Sequence, residues 1–228
     1  MIKKIMVLII ALICLLSVSA ISAVDINNTD SGVAVADAGT FADLATDISA
    51  GGNISLTRDY IQTDSHGPIN INENTIINGN GHTIDAKEKS RIFNISTGVS
   101  VTINNISFIN GKNIGGEEQI AGGAISVNGN SNLTVTNSIF NNIESGDGGA
   151  ITLFRQGTRG NLIVTNSIFN HTTAYVGAAI YCYGNRGGLI VTNSIFNNIE
   201  AMDAGAIYSS SASGTNKRNS VTVINSTF

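Results

Sequence analysis

The chain has 228 residues, of which 12% are charged and 42% hydrophobic, with a formal net charge of −4. So mildly acidic a chain, with 12 basic against 16 acidic residues, is unsuited to holding a polyanion, which excludes nucleic-acid binding. Its two cysteines, Cys14 and Cys182, leave no room for a disulfide framework once the first is assigned to an N-terminal signal, so stability has to come from packing.

Taken in chain order, Lys3 and Lys4 precede an apolar run from Ile5 to Leu16, followed by small residues from Ser17 to Ala23. A basic start, a short apolar run and a small-residue cleavage region predict a secretory signal over residues 1–23. The run is shorter than the ~20 apolar residues that span a bilayer. Removal of Lys3 and Lys4 with the signal leaves 10 basic against 16 acidic residues and a net charge of −6. Residues 24–39 are small and polar and are expected to be a linker, after which residues 40–228 form one domain. Phe41, Leu44, Ala45 and Ile48 then make an i, i+3, i+4, i+7 stripe. Thr40 and Asp43 form a capping-box pair, and Gly51-Gly52 ends the segment. Such an amphipathic helix would cover the open first turn of a solenoid.

The segments that follow are short, β-branched and alternating. Pro68 beside Gly67 marks a turn before Ile69-Asn-Ile71, and Asn78-Gly-Asn-Gly81 divides two further strands. From there one phrase recurs. Val-Thr-Asn-Ser-Ile-Phe occupies 135–140, 164–169 and 191–196, with looser copies ending at Phe108 and Phe228. A second phrase, Gly-Gly-Ala-Ile, ends at Ile125 and Ile151 and returns in altered form ending at Ile180 and Ile207. A period near 30 residues without a helical pattern inside it predicts three strands per turn, wound as a right-handed parallel β-helix. The phenylalanines and isoleucines then form core columns. The asparagines at 105, 137, 166, 193 and 225 stand where the chain must turn and are expected to form a hydrogen-bonded ladder. Asn105 and Asn225 of that column match Asn-x-Ser/Thr, as do Asn53, Asn94, Asn132 and Asn170, and those four outside the column are the better glycan acceptors on this reading. Cys182 falls at the position of Val127, Leu153 and Ser209, as a small core residue.

The Phe41-x-x-Leu44 cap, the turn Asn78-Gly-Asn-Gly-His-Thr-Ile-Asp85, the segment Arg91-Ile-Phe-Asn-Ile95 and the two repeated phrases resemble the adhesin-like surface proteins of methanogenic archaea. These are right-handed parallel β-helices of the pectin-lyase-like superfamily. The resemblance covers about residues 40–228 and implies export to the cell surface and a binding or structural task. Proteins of this kind are usually longer, so the domain is expected to be incomplete at its C-terminal end. The final segment, Val221 to Phe228, is β-prone, uncharged and free of proline, a composition that predicts self-association.

Enzymes of this fold use clustered acids, and the acidic residues here recur only in part across the repeats. Glu144/Asp147 and Glu200/Asp203 share one context but lie two turns apart, with Thr173 and Val176 between them. Two steps of ~4.8 Å are too long for one calcium ion to bridge. Glu117 and Glu118, the scattered histidines His66, His82 and His171, and the loop cations Arg155, Arg159, Lys217 and Arg218 read as solvated surface. No catalytic residue, metal ligand or cofactor site is therefore assigned. One feature stands apart. If Ile151, Ile180 and Ile207 point inward, Thr152, Phe154, Tyr181, Tyr183 and Tyr208 point outward. Phe154, Tyr181, Tyr183 and Tyr208 are the candidate ligand-binding residues, a strip for sugar rings. The expectation is an exported, non-catalytic, adhesin-like β-helix that meets glycans or other cells, with a polysaccharide lyase or glycoside hydrolase as the alternative.

Overall fold

Each letter of Val-Thr-Asn-Ser-Ile-Phe has a separate task at one corner of a solenoid. In the copy at 135–140, Val135 is buried, and Asn137 adopts φ 51°, the left-handed region that asparagine enters more readily than most residues bearing a Cβ. The same corner recurs at Asn105, Asn166, Asn193 and Asn225, with φ of 56, 50, 50 and 46°. Ser138 then closes the corner. Its Oγ donates to the Thr136 carbonyl at 2.8 Å and accepts the Ile106 N–H from the preceding coil at 3.3 Å. The N–H groups of Ser138, Ser167 and Ser194 each donate to the serine hydroxyl one coil on, at 3.2 Å. After the serine the chain turns inward, and Phe140 joins the core.

The structure is a computed structural model that describes residues 37–63, 65–113, 122–155, 160–184, 187–211 and 219–228. The expected signal, most of the linker, Cys14, Glu117, Glu118, Arg159, Lys217 and Arg218 lie outside these. The architecture is an all-β parallel β-solenoid of the right-handed type with one short helix near its N-terminal end. A coil visits three sheets in turn: Asn132–Thr136 in one, Ile139–Ser145 in the next and Ile151–Arg155 in the third, before Asn161–Thr165 returns to the start. The three sheets contain seven, eight and six strands, and every pairing is parallel.

Register places like on like. Phe108, Phe140, Phe169, Phe196 and Phe228 stack with ring centroids 4.9, 4.7, 4.9 and 4.7 Å apart. Ile125, Ile151, Ile180 and Ile207 pair in sequence, as do Val127, Leu153, Cys182 and Ser209, and Cys182 is buried. The helix Phe41–Ile48 begins with a true capping box: Asp43 N–H donates to Thr40 Oγ1 at 3.1 Å, and Thr40 N–H donates to Asp43 Oδ2 at 2.8 Å. Phe41, Leu44 and Ile48 are buried against the core. Tyr60 donates its hydroxyl to Asp47 Oδ2 at 2.7 Å and ties the helix to the first coils.

The asparagine ladder forms, but not as one internal column. Asn137 donates to Asn104 Oδ1 rather than to Asn105, and Asn166 and Asn193 continue the chain at 3.2 and 3.3 Å along an exposed edge. Further asparagine ladders run through Asn70, Asn94 and Asn128, through Asn132 and Asn161, and through Asn141, Asn170 and Asn198. This reverses the preference among glycan acceptors. The amides of Asn94, Asn132 and Asn170 are engaged in ladders, whereas Asn105 and Asn225 stand at exposed corners with Asn53 exposed on its strand.

One core column carries a mismatch. Thr172 pairs with Ile143 on one side and Ile199 on the other, and its fully buried Oγ1 has no hydrogen-bond partner among the described residues. Thr172→Val is therefore expected to raise stability by about 1 kcal/mol, because it removes an unsatisfied hydroxyl without changing shape. Phe169→Ala, which empties the middle of the aromatic stack, is expected to cost about 3–5 kcal/mol. Denaturant titration of both variants checks the pair: a neutral Phe169→Ala or a destabilising Thr172→Val contradicts this register.

Among the described residues the strands Ile207–Ser210 and Ser220–Ile224 pair on one side only, and Ile195–Asp203 is met on its second side by a single bridge from Ile195 to Thr227. Val221, Val223 and Ile224 are exposed there, as is Phe228 at 64%. Unpaired apolar edges of this kind template association. The isolated 228-residue chain is expected to self-associate in sedimentation experiments, and lysines placed at Val221 and Val223 are expected to suppress it. A wild-type chain that stays monomeric at high concentration contradicts the expectation.

Candidate functional site

The outer face of the six-stranded sheet is set by the strict alternation of its strands. Asn128, Phe154, Tyr183 and Ser210 form one outward column, and Ser126, Thr152, Tyr181 and Tyr208 form the next. All four candidate residues thus share one face. Phe154 stacks on Tyr183 with centroids 5.8 Å apart, and Tyr181 stacks on Tyr208 at 5.0 Å. Tyr181 and Tyr183, two residues apart on one strand, join the columns at 6.4 Å.

The rings lie within 12–19° of parallel, so they turn their faces to one another along the solenoid. What the strip offers outward is ring edges and phenol hydroxyls. Two ring faces remain beside short side chains: that of Phe154 toward Asn128 and that of Tyr183 toward Ser210.

The second repeated phrase explains why half of this face is covered. A Cβ on Gly148 would come 2.5 Å from Thr152 Oγ1 and 3.4 Å from Tyr181 Cβ, and one on Gly177 would come 2.7 Å from Tyr208 Cβ. The phrase needs glycine because the chain passes directly over the neighbouring column. Thr152 is in consequence fully buried although it faces outward, and its Oγ1 lacks a partner among the described residues. Tyr181 is only 7% exposed, whereas Phe154, Tyr183 and Tyr208 are half-buried. Sequence reading registered the repeating glycines without their role. The signal was their position, three residues before each inward isoleucine.

The charged residues are placed as the repeat alignment implies. Lys112, Glu144, Thr173 and Glu200 form one column, and Asp147, Val176 and Asp203 another. Lys112 Nζ lies 2.7 Å from Glu144 Oε2 and 3.8 Å from Glu88 Oε2, and the hydrogen bond to Glu144 raises the lysine pKa. His171 takes φ 48° at the turn position that Asn142 and Asn198 fill elsewhere, and His82 Nδ1 lies 3.1 Å from Asp59. Among the described residues no three His, Cys, Asp or Glu side chains gather to hold a metal ion. A cavity of about 390 Å³ at the corner near Pro68 brings Glu88, Lys89, Arg91 and Lys112 together, which the alignment did not reveal. Its cations are engaged: Lys112 by the two glutamates, Lys89 by the Thr63 carbonyl and Arg91 by Asn113. No family model matches the chain, and a search of curated proteins finds no match.

Burial pushes the Tyr181 phenol up to about 12, helped by the neighbouring Tyr208, Asp147 and Tyr183, and burial raises Tyr60 to about 12 as well. Because the unfolded chain ionises these phenols near 10, their contribution to stability is intact below pH 10 and is lost as pH rises toward 12. Alkaline titration followed by phenolate absorbance and circular dichroism is expected to show two late phenols, ionising together with unfolding. Full ionisation of every tyrosine near pH 10 with the fold intact contradicts this packing.

Proposed function

We propose that the chain is a non-catalytic, exported, adhesin-like β-helix that meets glycans through the six-stranded face. The observation that carries this reading is the linked ladder of Phe154, Tyr183, Tyr181 and Tyr208, which places four aromatic side chains on one face of a rigid sheet. Rings of this kind offer sugars apolar edges and hydroxyl donors, and Tyr183 stands in register with the short side chain of Ser210. Adhesin-like character and export rest on the resemblance of the repeats and on the signal-like N-terminus.

A panel of neutral and acidic polysaccharides tests the proposal. Binding is expected for at least one glycan and is expected to weaken about tenfold or more in Tyr183→Ala and Tyr208→Ala, the range in which interface aromatics act. Binding that is unchanged in both variants overturns the assignment of this face. Release of shortened or unsaturated sugars by the wild-type chain overturns the non-catalytic reading.

A further inference from the structure

Asp85 is the one carboxylate among the described residues that is fully buried. It ends the strand Thr83–Asp85, where the chain turns through Lys87 and Glu88 with φ of 48 and 57°. Its Oδ1 accepts the Lys87 N–H and the Asn110 Nδ2 amide, each at 2.8 Å. Its Oδ2 faces Lys87 Nζ at 3.0 Å, off the direction of a hydrogen bond, and has no other partner among the described residues. One buried carboxylate thus holds a primary amine and a primary amide from consecutive coils. The amide is polarised from its other side, because Asn142 Nδ2 donates to Asn110 Oδ1 at 2.7 Å from the next coil.

We propose that Lys87, Asp85 and Asn110 form a self-modifying site that joins Lys87 Nζ to Asn110 Cγ in an amide cross-link. Asp85 first takes a proton from the lysine ammonium, which leaves the neutral amine that the addition needs beside a carboxylic acid. The Nζ lone pair then adds to Asn110 Cγ. Negative charge develops on Oδ1, where the Asn142 donor already sits. Asp85 delivers its proton to Nδ2 and takes one from Nζ, acting as acid and base in turn. The Cγ–Nδ2 bond breaks, and ammonia leaves past the lysine side chain, which is 37% exposed. One C–N bond forms and one breaks, so the step needs neither oxidant nor cofactor. The product clamps two early coils together and relieves an aspartate oxygen that otherwise stays buried without a hydrogen bond.

Mass spectrometry of the purified chain decides the matter. The wild-type chain is expected to be lighter than its sequence by one ammonia, and its tryptic digest is expected to contain a branched peptide joining Lys87 to Asn110, uncut after Lys87. Lys87→Arg, close in shape, is expected to fold by circular dichroism, to lack that branch and to show its full mass. Ring closure at an Asn-Gly pair such as Asn110-Gly111 also expels ammonia, so the loss is located by peptide mapping; a loss at Asn110 that persists in Lys87→Arg overturns the proposal. A wild-type chain of full mass, cleaved normally after Lys87, overturns it as well. Asp85→Asn tests the acid: a folded variant that forms the cross-link as completely as wild type removes Asp85 from the chemistry.

Discussion

The whole structure depends on one constraint: in a parallel solenoid each residue lies on its own counterpart one coil away, at the interstrand spacing of about 4.8 Å. Only side chains compatible with copies of themselves can occupy such columns. Phenylalanine rings stack offset, aliphatic groups pack, a serine hydroxyl accepts from one coil while donating within its own, and an asparagine amide is both donor and acceptor. Charges fail the test, since like charges at that spacing repel. The acidic column obeys this rule, with Thr173 separating Glu144 from Glu200 and Lys112 placed against Glu144. A charged content of 12% follows from the architecture rather than from any solvent preference of the chain.

The same constraint shapes the outer face. Aromatic residues in register stack on each other before they can stack on anything else, so Phe154, Tyr183, Tyr181 and Tyr208 turn edges and hydroxyls outward. A β-helix that engages sugars through such columns uses rims and column ends, unlike a cleft whose rings lie flat toward the ligand. Asp85 shows the constraint from its other side. A carboxylate cannot stack on itself, and the coil after it places Ile109 in its register and an asparagine amide beside it.

Much of this was legible in the sequence because repetition multiplies a weak signal. A single Val-Thr-Asn-Ser-Ile-Phe is an ordinary strand and turn, whereas five spaced copies define coils, and the Thr40–Asp43 pair marks the helix at the first coil. Inward and outward assignments also followed, since alternation is fixed once one isoleucine is placed. What stayed hidden depends on distances between coils. The serine of the phrase was visible as a repeat, but its hydroxyl bridge to the next coil was not. The asparagine ladder was placed in a single column, whereas the amides reach across to Asn104 and outward to solvent. The burial of Tyr181 was missed because it comes from glycine backbone crossing an outward column, which alternation does not describe. Asp85 and Lys87 belong to no repeated phrase, and Asn110 shares its turn position with Asn142 and Asn198, so nothing in the sequence set it beside them.

Amide hydrogen exchange resolved by residue tests the stacking account most directly. The corners at Ser138 and Ser167 follow exposed asparagines in the left-handed region, where turn amides normally exchange fast. Each of these amides is instead bonded to a serine hydroxyl of the next coil. The account predicts that they exchange as slowly as the strand amides of Val135 and Val164. Fast exchange at both serines beside protected strands would contradict it.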